Sequence, residues 1–261
     1  MADLAPLILV TNDDGIHAPG LEALRSAMQE IGRVVVFAPE RDNSAASHSL
    51  TMNRPLRVRK VDDNTFAIDG TPTDCVTIGI GKILTEKPAL VVSGINPGGN
   101  LGEDISYSGT VSAAIEGTML GVPAFAVSLA IALSGGETPL HFETAAAFAR
   151  QLASLVLARG LPLDTLLNVN VPNRPTAEIA GVIFSRQGKR IYEDAIQETL
   201  DPWGRKHFWI GGGTPFWNKG PDTDAAVVAS GRISITPIHM DRTNYEALRQ
   251  LQLEWKELLV I

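Results

Sequence analysis

Cysteine is nearly missing from this chain: Cys75 stands alone among 261 residues. A single thiol excludes an intramolecular disulfide and fits a reducing compartment. Long apolar runs are also missing. None approaches the ~20 residues that span a bilayer, and no basic segment precedes the first apolar stretch, LAPLILV. Neither a membrane span nor a signal peptide is expected, and the protein reads as cytoplasmic. Positive charge is in deficit, with 22 basic against 29 acidic residues and a net charge of −7. No basic stripe exists to displace counterions, which argues against a nucleic-acid polymer as partner. A small anionic substrate needs only a local site and is not excluded. Two phosphate-binding fingerprints are lacking as well: no G-x-G-x-x-G follows the first strand, and G-x-x-x-x-G-K-[ST] does not occur.

What is present reads as one soluble α/β domain. Apolar residues make up 44% and charged residues 20% of a chain long enough to bury a full core. LILV (7–10), VVVFAP (34–39), ALVVS (89–93), PAFAVSLA (123–130) and LLNVNV (166–171) are continuous apolar runs. Such runs mark strands covered on both faces. Between them lie helical patterns: Pro19 opens one that Gly32 closes, Thr71-Pro72 opens a second, and 110–120 and 141–159 supply two more. This alternation predicts a three-layer αβα, Rossmann-like, mainly parallel sheet. A hairpin turning at Asp62, Asp63 and Asn64 interrupts it. After about residue 185 periodicity weakens, glycines multiply, and three of the four tryptophans appear (Trp203, Trp209, Trp217). The domain is therefore expected to have a core of about 1–185 and 224–261. A C-terminal β-hairpin arm, about 186–223, would protrude from it, and a terminal helix would cover 244–259.

Three polar loops, 12–18, 40–49 and 94–110, each follow a predicted parallel strand. In an open α/β sheet ligands bind outside the strands' carboxyl ends, so these loops should converge. The first carries Asp13 next to Asp14. One aspartate there could cap the following helix, but two neighbouring carboxylates repel unless a cation neutralises them. A hard divalent ion would do so, with Gly15 supplying the positive φ of a tight turn. The second loop contains Ser44, an ordinary turn residue that also offers an oxygen. The third, SGINPGGNLGEDISYSGT, runs five glycines into a helix beginning near Thr110, a composition suited to an anion. His17 reads as structural or as support to the metal loop, since no second histidine stands at ligand spacing. Cys75 reads as a small buried hydrophobe.

Taken together, TNDDGIHAPGL, APERDNSAASHSLT, GTPTDCV, VSGINPGGNLGEDISYSGTVSAAIEGTMLGVPAFAVSL and ISITPI resemble the SurE family of stationary-phase survival proteins, metal-dependent 5′(3′)-nucleotidases. The matching stretches cover 7–130 almost continuously and recur near 224–238. The resemblance implies one divalent metal ion per subunit, Mg2+ or Mn2+, held by Asp13, Asp14, Ser44 and Asn96. It also implies phosphate contacts from Asn96, Ser108, Gly109 and Thr110, and a dimer or tetramer built through the arm. One departure exists: where the family usually has glycine after the ligand serine, this chain has Ala45.

The expected function is hydrolysis of nucleoside 5′- and 3′-monophosphates by metal-activated water, with Asp13 and Asp14 as the central residues. Two alternatives stand beside it. A haloacid-dehalogenase-type phosphatase would use Asp13 as nucleophile, although that family's D-x-D spacing is absent. A non-catalytic nucleotide or metal sensor would keep the site without turnover.

Overall fold

In a computed structural model, which describes residues 5–131, 139–191, 196–210, 216–217 and 220–255, the apolar runs become a nine-stranded sheet. The strands and helices alternate through β1 (Leu7–Thr11), α1 (Pro19–Gln29), β2 (Arg33–Pro39), β3 (Val58–Asp62), β4 (Thr65–Ile68), α2 (Pro72–Ile78), β5 (Leu90–Pro97), α3 (Gly109–Met119), β6 (Ala124–Ala130), α4 (Phe142–Arg159) and β7 (Thr165–Pro172). The chain continues through β8 (Val182–Phe184), β9 (Arg190–Ile191), β10 (Ile196–Leu200), β11 (Lys206–Ile210), β12 (Phe216–Trp217), α5 (Asp224–Ala229), β13 (Ile233–His239) and α6 (Tyr245–Trp255).

Sheet order is β3-β4-β2-β1-β5-β6-β7-β13-β8. The six strands from β4 to β7 run parallel, while β3 and β13 pair antiparallel with β4 and β7. Alternate residues of each central strand serve different layers. Ile8 and Val10 pack with Leu21, Leu24 and Met28 of α1 and with Ala145 and Ala149 of α4. Leu9, one residue out of phase, joins Cys75 and Val76 of α2 and Val111 and Ala114 of α3 on the other face. Each of these strands is thus buried on both sides, the physical origin of its unbroken apolar sequence. The result is the expected αβα sandwich, and Cys75 lies fully buried in its second layer.

Local chemistry sets the element ends. Pro19 occupies the first turn of α1. Thr71 caps α2 in a reciprocal capping box with Asp74, worth about 1 kcal/mol. Two expectations are corrected in detail. β5 continues to Pro97 through a register shift between Ser93 and Asn96, so Asn96 sits on a strand end rather than within a loop. The N-cap of α3 is Ser108, whose Oγ accepts the Val111 N–H, so the helix starts at Gly109, one residue before its expected beginning near Thr110.

The arm leaves the sheet after β8. β10 and β11 form an antiparallel hairpin from Ile196↔Ile210 to Leu200↔Lys206, and β9 pairs with β12. Hairpin residues Ile196, Trp203, Trp209 and Ile210 stay exposed, Ile210 at 91%. The terminal helix α6 presents no buried residue, and positions 256–259 of the expected helix lie outside the described residues.

The chain moves outward from β1 to β2 and β4, then returns to β5 on the other side of β1. This reversal opens a crevice between the carboxyl ends of β1 and β5, the topological switch point where open α/β sheets bind ligands.

Candidate active site

The crevice is a cleft of roughly 540 Å³, and its lining includes Asp13, Asp14, Asp42, Ser44, Asn96 and Ser108. The structure thus brings together four of the expected metal ligands and the start of α3. Among the described lining residues there are four carboxylates, counting Asp104, and no lysine or arginine.

Asp13 is 4% exposed. Its Oδ1 accepts the Thr110 hydroxyl at 2.5 Å, and the Thr110 backbone N–H also donates to the carboxylate. Gly109 makes this approach possible: a Cβ there would lie 2.7 Å from the Asp13 Cβ and 2.8 Å from Oδ2. Burial raises the Asp13 pKa above the usual carboxylate value, and the Thr110 hydrogen bonds pull against that rise. Neither aspartate caps α1, whose N-cap is Ala18.

Asp14 has less support. Its Oδ2 is buried without a hydrogen-bond partner. Burial first, then the neighbouring charges of Asp13 and Asp42, push its pKa up to about 7. A buried and a half-buried like charge side by side, with an orphaned oxygen, are unfavourable unless a cation is supplied. Gly15 makes the turn behind them with φ +100°.

The other two donors are oriented by their unused atoms. Asn96 Nδ2 donates to the Gly98 carbonyl at 2.7 Å, which leaves the amide oxygen available. The Ser44 hydroxyl donates to Asp42 Oδ1 at 2.6 Å, and the Ser44 backbone N–H reaches the same oxygen at 2.8 Å. With its proton committed, Ser44 retains lone pairs for a cation. Among the described residues no three His, Cys, Asp or Glu side chains form a metal-holding group. The set here is instead two carboxylates, an amide oxygen and a hydroxyl. Such hard oxygen donors fit Mg2+ or Mn2+ and not a soft metal.

Expected phosphate contacts divide. Ser108 lines the cleft while capping α3, and Gly109 packs on Asp13. The Thr110 hydroxyl is spent on Asp13. In this position it orients a carboxylate at the start of α3. His17 is exposed.

Sequence reasoning missed several supports. Asp42, in the ERDNS stretch, was a visible carboxylate two residues from Ser44. The paired asparagines of LLNVNV carried a signal too, since polar residues two apart in an apolar strand share one face. Asn168 and Asn170 both donate to the Asn100 carbonyl, and Asn170 Oδ1 accepts the Asn100 N–H. The glycine-rich loop is thereby pinned to β7. Asp224 holds its next turn by accepting the Gly102 N–H at 2.8 Å.

Comparison with known proteins agrees with this architecture. The family model for survival protein SurE matches residues 8–194. A Geobacter sulfurreducens protein named 5′-nucleotidase SurE is 54% identical over 245 residues, covering 94% of this chain and 92% of its own. One of the same name from Moorella thermoacetica is 48% identical over 250 residues, with 94% of each chain covered. The crystal structure of the SurE protein from Aquifex aeolicus superposes with a TM-score of 0.83 at 43% identity, covering 95% of this chain and 99% of that one. By sequence over nearly its whole length, and by fold, the chain belongs to the SurE family.

Proposed function

We propose that the chain is a divalent-metal-dependent phosphatase that hydrolyses nucleoside 5′- and 3′-monophosphates to nucleoside and phosphate. One observation carries the reading: a buried Asp14 oxygen without a partner, beside the buried carboxylate of Asp13, in a cleft with no lysine or arginine among its described lining residues. The name 5′-nucleotidase borne by relatives at about half identity supports the choice of substrate class.

Asp13, Asp14, Asn96 and Ser44 would hold one Mg2+ or Mn2+ per subunit. When bound, the ion supplies Lewis acidity toward a phosphoryl oxygen and makes water acidic enough to attack near neutral pH. Thr110 keeps Asp13 in one rotamer. Ser108 and Gly109 begin α3 beside the Asp pair, so a phosphate docked there meets the positive end of an eleven-residue helix. Asn100, held by Asn168 and Asn170, keeps the neighbouring loop in place. Asp13 Oδ1 is engaged by Thr110, and the carboxylate's remaining lone pairs are assigned to the ion, which supports a metal ligand rather than a nucleophile. That assignment favours water as the nucleophile over the haloacid-dehalogenase route through Asp13.

The exposed hairpin supports a homo-oligomer, dimer or tetramer, assembled through the arm of about 186–223. Trp203, 79% exposed, and Ile210 have no core of their own to enter. Among the described residues no helix is long and apolar enough to cross a membrane, which is compatible with a cytoplasmic enzyme.

Turnover of p-nitrophenyl phosphate and AMP with Mn2+, abolished by EDTA and restored by added metal, is the expected result. Tight metal and nucleotide binding without turnover would make the protein a sensor. In a single turnover in 18O-water, label should enter phosphate directly, and an acid-labile aspartyl phosphate at Asp13 would refute water attack.

A further inference from the structure

We infer that Glu116 and His48 form a latch that positions the Ser44 loop over the Asp pair. Glu116 lies on α3, inside the protein and 6% exposed. An unpaired carboxylate in that position would be costly. Its two oxygens are both used: Oε1 accepts the Thr77 hydroxyl of α2 at 2.8 Å, and Oε2 pairs with His48 Nε2 at 2.9 Å. These hydrogen bonds, His48 first, hold Glu116 below the usual glutamate range and so ionised. A carboxylate can only accept, so Nε2 carries the proton and donates.

His48 belongs to the loop that carries Asp42 and Ser44, and that loop needs an external tie. Ala45 (φ 60°) and Ser47 (φ 54°) both occupy the left-handed region without being glycine, a conformation disfavoured for L side chains. On the near side the loop is bound by the Asn43 N–H to the Asp13 carbonyl, and at its tip by the Ser47 N–H to the Tyr107 carbonyl. On the far side the Ser49 carbonyl accepts the Thr71 hydroxyl at 2.7 Å, and the tie made by a loop side chain nearer Ser44 is His48 to Glu116. This hydrogen bond thus closes a frame around Ser44, anchored on α3, the helix whose N-terminus orients Asp13. Glu116 and His48 are positioning residues: neither lines the cleft.

The inference rests on the reading of Ser44 as a metal ligand, and the two are tested apart. His48→Ala should raise amide exchange across 43–49 by about tenfold, the loss expected for one hydrogen bond to a charged group. It should also weaken Mn2+ binding severalfold, measured by calorimetry, and lower kcat for p-nitrophenyl phosphate. His48→Gln, which restores an N–H donor of similar reach, should recover most of both losses. Thr77→Val, which leaves the His48 pair intact, should leave loop exchange and Mn2+ affinity near wild type. Unchanged exchange across 43–49 in His48→Ala would overturn the latch, as would a lowered melting temperature with unchanged Mn2+ affinity. Ser44→Ala checks the underlying reading: undiminished Mn2+ affinity there would remove Ser44 from the ligands, while the exchange data would still decide the latch.

Discussion

Replacing Asp14 by asparagine should make the metal-free protein more stable while removing its metal response. The side chains are nearly isosteric, but the variant deletes a charge that burial and the charges of Asp13 and Asp42 disfavour. The Asp14 pKa in the fold is about 7 against an ordinary 3.8. A folded-state value above the unfolded one means stability is fully present below pH 4 and is lost as pH rises through 7. At pH 8 the nominal cost is about 4 kcal/mol at 1.36 kcal/mol per pH unit. Asp14 is partly open to solvent, so screening brings this to about 2 kcal/mol. Asp14→Asn should therefore melt about 5 °C higher than wild type at pH 8 in EDTA. At pH 4 the two should coincide. With excess Mn2+ the order should reverse, because wild type gains about 2.7 kcal/mol at a hundredfold excess over Kd and the variant little. Activity should fall to near zero in the variant. A metal-free variant less stable than wild type at pH 8, or one stabilised equally by Mn2+, would refute the argument.

Four further outcomes are expected. Gly109→Ala forces a Cβ to within 2.7 Å of the Asp13 Cβ, so it should lower stability by about 1–3 kcal/mol and reduce kcat sharply; wild-type turnover would contradict the packing. Thr110→Val should impair turnover more than the melting temperature, and Thr110→Ser should retain activity, because Ser108 and not Thr110 caps α3; Ser108→Ala, in contrast, should cost about 1 kcal/mol in urea melts. Ala45→Gly relieves a φ of 60° and should raise the urea midpoint modestly, by up to about 1 kcal/mol, with a lower midpoint counting against strain there. Deleting the arm, roughly 188–222, should yield assemblies of fewer subunits by light scattering, and an unchanged number of subunits per assembly would refute its role.

Much of the architecture was legible before any coordinates, for reasons that lie within a few residues of each feature. Ile8, Leu9 and Val10 announce a doubly covered strand because both faces of a parallel strand exclude water. Thr71, Pro72 and Asp74 announce a helix start because a capping box is closed by residues three apart. Asp13 and Asp14 mark a site of local charge repulsion because that repulsion is an adjacent-residue effect that no distant contact is needed to reveal. The arm was legible from the same logic, as apolar residues without a periodicity that could bury them.

Other decisions belong to the tertiary structure. Thr110 finds Asp13 across 97 positions, Glu116 finds His48 across 68, and Asn170 finds Asn100 across 70. No spacing rule encodes such pairs. They exist because the order β2-β1-β5-β6-β7 sets particular strand ends side by side, and because Gly109 lets α3 approach β1 closely. A threonine at a helix start can cap, bind phosphate or hold a carboxylate with equal local propensity. Only the neighbour delivered by the sheet order selects among these, since a buried polar group must bond to whatever acceptor the packing brings within 3 Å.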